Sequence, residues 1–241
     1  MPPDVLDFSR RAELSEMMDE PCSREVLRHC LRDLARVNRW FLAYRPTLTW
    51  LDSLELVKDR PVHILDVGCG YGDSLRRIER WANDRKLSVE LTGCDLNPDT
   101  IVIARQASPA RSRIRWIGSN VFELDSLKPV DIVVSSLFTH HLTEDEIVRF
   151  ITWMEAKTQI GWFINDLSRA SIPYLLFKAF AKVANLHPFV QHDGPVSIAR
   201  AFIPEDWRRM CASAGLAESD ISLQGFTPAR LCVGRNKGTG H

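Results

Sequence analysis

The chain has 241 residues, enough for one large α/β domain or two small ones. Hydrophobic residues make up 45% and charged residues 26% of it, the balance of an ordinary globular protein. Lys plus Arg and Asp plus Glu are 31 each, and this zero net charge argues against a protein that holds nucleic acid through a broad basic footprint.

Residues 1–9 read as loosely ordered. Arg10 to Asp19 reads as a short helix with Leu14, Met17 and Met18 inward, ended by Asp19-Glu20-Pro21. Ser23 caps a stronger helix. Its apolar positions, Val26, Leu27, Cys30, Leu31, Leu34, Val37 and Phe41, recur at intervals of three and four. Arg28, Arg32 and Arg36 line another face, which reads as solvated or as a cap over a ligand site. Trp40, Phe41, Tyr44 and Trp50 make the end of this region aromatic. Such residues suit core packing and also a lid over an apolar ligand, so Tyr44 is a candidate substrate contact. Residues 1–59 are therefore expected to form a helical cap, with Arg60-Pro61 as its boundary and residues 60–241 as the main domain.

Val62 to Val67 reads as the first strand. It runs into Gly68-Cys69-Gly70-Tyr71-Gly72-Asp73, and a helical pattern starts at Ser74 and runs to Lys86. Glycine is needed where a backbone turns sharply or must approach a ligand, and a helix N-terminus behind the turn offers free N–H groups. Val89 to Asp95 is a second strand ending in an acidic residue, followed by Leu96-Asn97-Pro98 and a helix to about Gln106. Ile114 to Gly118 is a third strand and Val130 to Ser136 a fourth, of buried β-branched type. Leu137-Phe138-Thr139-His140-His141-Leu142 follows. Thr143 with Glu146 forms a capping box for the next helix, and Ile160 to Asp166 is a fifth strand.

Tyr174 to Ala184 reads as an apolar helix, and Asn185 to Arg200 as a loop or short helix. Pro204 to Ala214 is a helix closed by Gly215, and Ile221–Phe226 and Ala229–Arg235 form a hairpin. Alternating strands and helices predict a largely parallel sheet covered on both faces. The hairpin adds an antiparallel strand. The six cysteines are dispersed without a CxxC pair, which is neither a zinc nor a disulfide pattern and suits a reducing cytoplasm. No leader and no apolar run of membrane length is evident, so a cytoplasmic protein without a membrane partner is expected. No metal-ligand cluster stands out in the sequence, and no metal is expected.

Two ligand classes compete for the glycine turn. Gly68 and Gly70 fit a dinucleotide fingerprint, but its third glycine is replaced by Asp73, an anion where a pyrophosphate would sit. Asp66-x-Gly68-x-Gly70-x-Gly72 suits a ligand with no phosphate that bears an amino-acid group and a ribose, because a carboxylate then pairs with an ammonium. Leu65-Asp66-Val67-Gly68-Cys69-Gly70-Tyr71-Gly72 resembles the first motif of the class I S-adenosylmethionine-dependent methyltransferases. The resemblance spans about residues 60–166 by motif and about 200–235 by layout. It implies a Rossmann-like, seven-stranded, mostly parallel α/β sheet with helices on both faces and its last strand antiparallel. It implies S-adenosylmethionine as cofactor and S-adenosylhomocysteine (SAH) as product. Asp66, Gly68, Gly70 and Gly72 would hold the cofactor, and Asp95 matches the acidic residue that holds both ribose hydroxyls. Leu96 would also contact the cofactor, Asn120 and Val121 would face its adenine, with Asn where the family commonly has Asp, and Ser135 would run along the cofactor.

Methyl transfer by in-line displacement needs the reactants held together, water excluded, and sometimes a base. His140 at the mouth of strand four and His192 in Gln191-His192-Asp193-Gly194-Pro195 are the candidate bases. His141 reads as structural and His187 as surface. Residues 167–200 occupy the place of a substrate-binding insertion, with Asp166 and Arg200 as candidate substrate contacts, Arg200 alternatively pairing with Asp193. No Asn/Asp-Pro-Pro-aromatic motif of nucleic-acid amino-methyltransferases follows strand four. The expectation is a monomeric or homodimeric enzyme of secondary metabolism acting on a small, hydrophobic, phenolic or polyketide-like molecule. Oxygen is the expected acceptor, with C- or N-methylation next. A nicotinamide-dependent oxidoreductase and a non-catalytic cofactor-binding partner are the readings from other classes.

Overall fold

The computed structural model describes residues 6–56, 59–124 and 130–238; the expectation for residues 1–5 lies outside them. The chain alternates strands and helices through its middle. Strands β1 (Val62–Val67), β2 (Val89–Asp95), β3 (Arg115–Gly118), β4 (Val130–Ser136), β5 (Thr158–Leu167), β6 (Ser222–Phe226) and β7 (Arg230–Asn236) form one sheet in the order β3-β2-β1-β4-β5-β7-β6. Pairing is parallel from β3 to β5, and β7 runs antiparallel to both β5 and β6. This is the Rossmann-like sheet expected, with the hairpin strand inserted at its edge. Register aligns Val67 with Cys94 on one side and Ser135 on the other. The carboxyl ends of β1, β2 and β4 therefore finish at one level and open a crevice between them.

Helices α1 (Arg24–Trp40), α2 (Arg45–Asp52), α3 (Asp73–Asp84), α4 (Pro98–Gln106), α5 (Glu144–Lys157), α6 (Ser171–Val183), α7 (Pro188–Arg200) and α8 (Pro204–Ser213) complete the fold. Their starts follow local chemistry. Ser23 and Asn97 accept N–H groups of the first turns of α1 and α4, and Thr143 with Glu146 closes the capping box of α5. On one face of the sheet, Leu65, Val133 and Trp162 pack with Ile147, Phe150, Ile151 and Met154 of α5 and Trp207 of α8. On the other, Ile64, Ile132 and Phe163 pack with Leu75 and Ile78 of α3 and Trp50 and Leu51 of α2. Burial of this kind contributes about 1.5–3 kcal/mol per large apolar side chain.

Helix α1 lies across the carboxyl edge. Its Cys30 and Val37 join Ala181, Leu186 and Val190 of the α6–α7 region, while Leu27 and Leu31 pack on Ile103 of α4. Gly194 inside α7 has a steric reason: a Cβ there would run into the Phe177 ring of α6.

Two local expectations are corrected. Residues 10–16 form no helix; a single 3-10 turn spans Met17–Asp19, and Leu14 and Met17 are exposed rather than inward. Backbone hydrogen bonds here go to other parts of the chain: Ala12 N–H to Ala199 C=O at 3.1 Å, and Met17 and Met18 N–H to the Asp193 carboxylate at 2.7 and 3.0 Å. A helical ladder would need those donors for itself. His187, read as surface, is half-buried at the N-cap of α7, with Nδ1 3.2 Å from Cys30 Sγ.

Candidate active site

The crevice begins at the glycine turn. Gly68, Gly70 and Gly72 all have positive φ (70°, 49° and 73°). At Gly72 the requirement is double, since a Cβ would also collide with the Trp116 ring of β3. The turn is tied to β2: Gly68 and Cys69 N–H donate to Cys94 C=O, and Gly70 N–H donates to Asp95 Oδ2 at 3.0 Å. Asp95 Oδ1 accepts from Asn97 N–H at 3.0 Å. Two backbone donors thus fix this carboxylate at the cavity edge with further lone pairs free, and burial raises its pKa.

Asp66 is 1% exposed, and its Oδ2 has no hydrogen-bond partner among the described residues. Burial, followed by the charges of Asp73 and Asp95, pushes its pKa well above the usual carboxylate range. Asp73 accepts from Tyr44 Oη at 2.5 Å and Asn38 Nδ2 at 3.3 Å. Tyr44 therefore sits at this end of the crevice rather than out on a lid, and burial lifts its phenol out of titration range. A small cavity of about 100 Å³ is lined here by Asn38, Tyr44, Asp66, Gly68, Gly70 and Ser136. A larger one of about 450 Å³ continues past Asp95, Leu96, Asn120 and Val121 to Met18, Leu142 and His141. Three carboxylates around one turn suit a ligand that is cationic and carries no phosphate, and the partnerless Asp66 oxygen suits an ammonium.

Of the sequence-derived cofactor positions, Asp66, Gly68, Gly70, Asp95, Leu96, Asn120 and Val121 line these two cavities. Ser135 does not reach them: it is 1% exposed and its hydroxyl donates to Val67 C=O at 2.9 Å. Its neighbour Ser136 and Leu137 take that place. Gly72 shapes the turn from behind.

The histidines sort differently from expectation. His140 is 3% exposed, with Nδ1 2.7 Å from Asp166 Oδ1 and Nε2 3.7 Å from Glu16 Oε1. Asp166 is fully buried and also accepts from Thr139 Oγ1, His140 N–H and Leu167 N–H. Burial alone would raise its pKa, but the charge and hydrogen bond of His140 and the other donors hold it well below the usual range. Asp166 thus orients His140 and is closed off from the cavities. The ring facing the larger cavity is His141, read above as structural; its Nδ1 lies 3.0 Å from Asp19 Oδ1. Arg200 reaches Asp19 at 3.0 Å and Glu16 at 3.5 Å, and not Asp193. His192 stands half exposed on α7, its Nδ1 2.8 Å from Asp193 Oδ1, away from both cavities.

The sequence reading missed Glu16, 4% exposed with a pKa raised to about 6 chiefly by burial. It sits in an irregular segment where periodicity carries no information. Asn38 was also missed, although a signal existed: it is polar at a position four beyond Leu34, on the apolar stripe of α1.

Residues 64–159 match the family described as a methyltransferase domain. The plantazolicin methyltransferase BpumL, solved in complex with SAH, aligns with a TM-score of 0.62 at 13% identity, covering 89% of this chain and 95% of that one. Human N-acetylserotonin methyltransferase, solved with S-adenosylmethionine, gives 0.61 at 15% identity, covering 90% and 57%. Magnesium protoporphyrin IX methyltransferase from Synechocystis PCC 6803, solved with bound SAH, gives 0.56 at 14%, covering 86% of each chain. At such identities the likeness is one of fold. Among the described residues, no helix is long and apolar enough to cross a membrane.

Proposed function

We propose that this chain, whose residues 64–159 form an S-adenosylmethionine-dependent methyltransferase domain on a class I fold, methylates a small hydrophobic hydroxyl compound of phenolic or polyketide-like type at oxygen. The observation that carries the reading is the partnerless, buried carboxylate oxygen of Asp66 beside a cavity that runs past Asp95 to His141.

Asp66 would take the cofactor's ammonium, Asp95 its ribose hydroxyls, and Asn120 with Val121 and Leu96 its adenine. When bound, S-adenosylmethionine would supply a sulfonium-bound methyl for in-line transfer to an acceptor oxygen, the C–S electron pair staying on sulfur. The chain's own residues then have three tasks. The glycine turn and Tyr44–Asp73 pin one reactant. Residues 11–20, docked through Met17 and Met18 N–H on Asp193, roof the crevice and keep water out. Glu16, His140 and His141 form the polar cluster beside the cavity that takes up the proton the acceptor oxygen loses.

Domain roles follow the same reading. Residues 11–20 and α1 act as cap, with Met18, Asp19, Leu27 and Leu31 on the cavity wall, while residues 167–200 act from behind, through the Asp193 and Arg200 contacts that hold this cap. Met18, Leu27, Leu31, Phe138 and Leu142 on the cavity wall favour an apolar acceptor. His140, held by Asp166, lines neither cavity and acts through its cluster with Glu16 and His141, whereas His192 has no access to either cavity in this arrangement.

The test is incubation with methyl-labelled S-adenosylmethionine and a panel of alkylphenols and aromatic polyketide-like phenols. Label in an aryl methyl ether is the expected result. Label on ring carbon or on nitrogen overturns the oxygen assignment. Tight NADH binding with no response to SAH overturns the methyltransferase reading itself.

A further inference from the structure

We propose that Glu16, His140 and His141 bind one divalent transition-metal cation beside the cofactor cavity, and that the acceptor oxygen docks on it. The docking half rests on the oxygen-methylation reading above; the cation site does not.

Both imidazoles are fixed from behind. His140 Nδ1 lies 2.7 Å from Asp166 Oδ1 and His141 Nδ1 lies 3.0 Å from Asp19 Oδ1. Asp166 is surrounded by donors, namely Thr139 Oγ1 and the N–H groups of His140 and Leu167. Such a carboxylate accepts, so in each neutral ring Nδ1 carries the hydrogen and Nε2 presents a lone pair. A carboxylate on the far nitrogen is the arrangement that orients metal-binding histidines and raises their basicity.

Both Nε2 atoms converge on one carboxylate. His140 Nε2 is 3.7 Å from Glu16 Oε1, and His141 Nε2 is 3.9 Å from Glu16 Oε2. These separations are too long for an N–H···O hydrogen bond. The three donor atoms lie within 4.8 Å of one another. Ligands about 2.0–2.2 Å from one ion stand up to about 4.2 Å apart, so a small inward adjustment places all three on a common centre. Glu16 is positioned for this by Ser197 Oγ at 2.9 Å and is 4% exposed, so its charge needs a nearby cation. Arg200 Nη1, 3.5 Å from Glu16, is shared with Asp19 at 3.0 Å and offsets only part of that charge.

The donor set decides the ion. Two imidazoles and one carboxylate suit zinc, ferrous iron, cobalt or nickel rather than magnesium or calcium. Three protein ligands leave a position open, as sites that take a substrate oxygen require. His141, alone of the three ligands, is on the cavity wall together with Asp19, so the site abuts the chamber on that side. A cation there makes a bound hydroxyl more acidic and carries its negative charge.

The experiment uses the full chain without a polyhistidine tag, freed of metal by chelator. Cobalt(II) is titrated by calorimetry and by visible absorption, with SAH binding measured on the same samples. Expected are one cobalt per chain with visible d–d bands, displacement by zinc, and at least tenfold weaker binding in His141→Ala and in Glu16→Gln. SAH binding should persist in both variants. Failure of cobalt to bind stoichiometrically, or equal affinity in His141→Ala, overturns the proposal. If Glu16→Gln does not fold, His141→Ala, which truncates a partly exposed ring, still decides. Loss of SAH binding by the parent protein would instead sink the methyltransferase reading and leave the cation result standing on its own.

Discussion

Asp66→Asn separates binding from stability at a single atom. The parent carboxyl is 1% exposed, has no partner at Oδ2 among the described residues, and is flanked by Asp73 and Asp95. A hydrogen bond to a charged group contributes about 1.5–3 kcal/mol. Neutralising Asp66 should therefore weaken SAH binding roughly 10- to 150-fold, read by calorimetry at pH 8. Stability should move the other way. The folded-state pKa is raised above the unfolded value, so the contribution of Asp66 to stability is present at acid pH and lost as pH rises through the raised pKa. The variant carries no such charge. Its unfolding midpoint should match the parent's at acid pH and exceed it as pH climbs above the ordinary carboxylate range. SAH binding to the parent in that same range should expel a proton, seen as a binding enthalpy that varies with the buffer. Undiminished SAH affinity, or a variant that loses ground to the parent as pH rises, would refute the assignment of Asp66 to the ammonium.

Other variants probe the neighbouring parts. Asp95→Ala should cost about 1.5–3 kcal/mol of SAH affinity and also free the Gly70 and Asn97 N–H groups that hold the turn; unchanged affinity would end the ribose assignment. Gly72→Ala forces an L residue to φ near 73° against Trp116, and should destabilise by about 1–2 kcal/mol or more in urea titration. Asp193→Ala removes the acceptor of Met17 and Met18 N–H. It should loosen residues 11–20, scored as faster limited proteolysis there with the SAH site intact. His140→Ala should lose turnover once an acceptor is found while SAH still binds, whereas His192→Ala should alter neither, because that ring is half exposed and away from the cavities.

The sheet was legible because each of its signals is local. The β-branched run of β4, the capping box at Thr143, and the Asp66 to Gly72 turn specify their own geometry within a few residues. Asp95 was legible for the same reason, since parallel register between β1 and β2 carries it to the level of the turn. The far wall of the larger cavity was not. Part of it is Met18 and Asp19, in a segment, residues 11–20, that takes its form from Asp193, Arg200 and Ala199, about 180 residues away in the chain. A segment whose N–H groups are satisfied by a distant helix has no periodicity to read. Its Leu14 and Met17 were assigned inward by helical spacing, and both are exposed because there is no helix.

The exchange of roles between His140 and His141 has the same origin. Adjacent residues in a 3-10 turn (Thr139–His141) point in different directions, and which one faces the cavity depends on what the other finds. Asp166, at the end of β5 beside β4, claims Thr139 Oγ1 and both the N–H and Nδ1 of His140. That leaves His141 to face the opening with Asp19 behind it. Asp166 was expected to meet a ligand because it closes a strand at the carboxyl edge. It does act on the site, through His140, and its full burial is the condition for doing so. A solvated carboxylate would share its lone pairs with water, whereas this one gives three contacts to the loop that positions the two rings and the fourth to Leu167 N–H of its own strand. The His141 side of the crevice is thus set by one buried carboxylate on β5 and one docked carboxylate, Glu16, arriving from the opposite end of the chain.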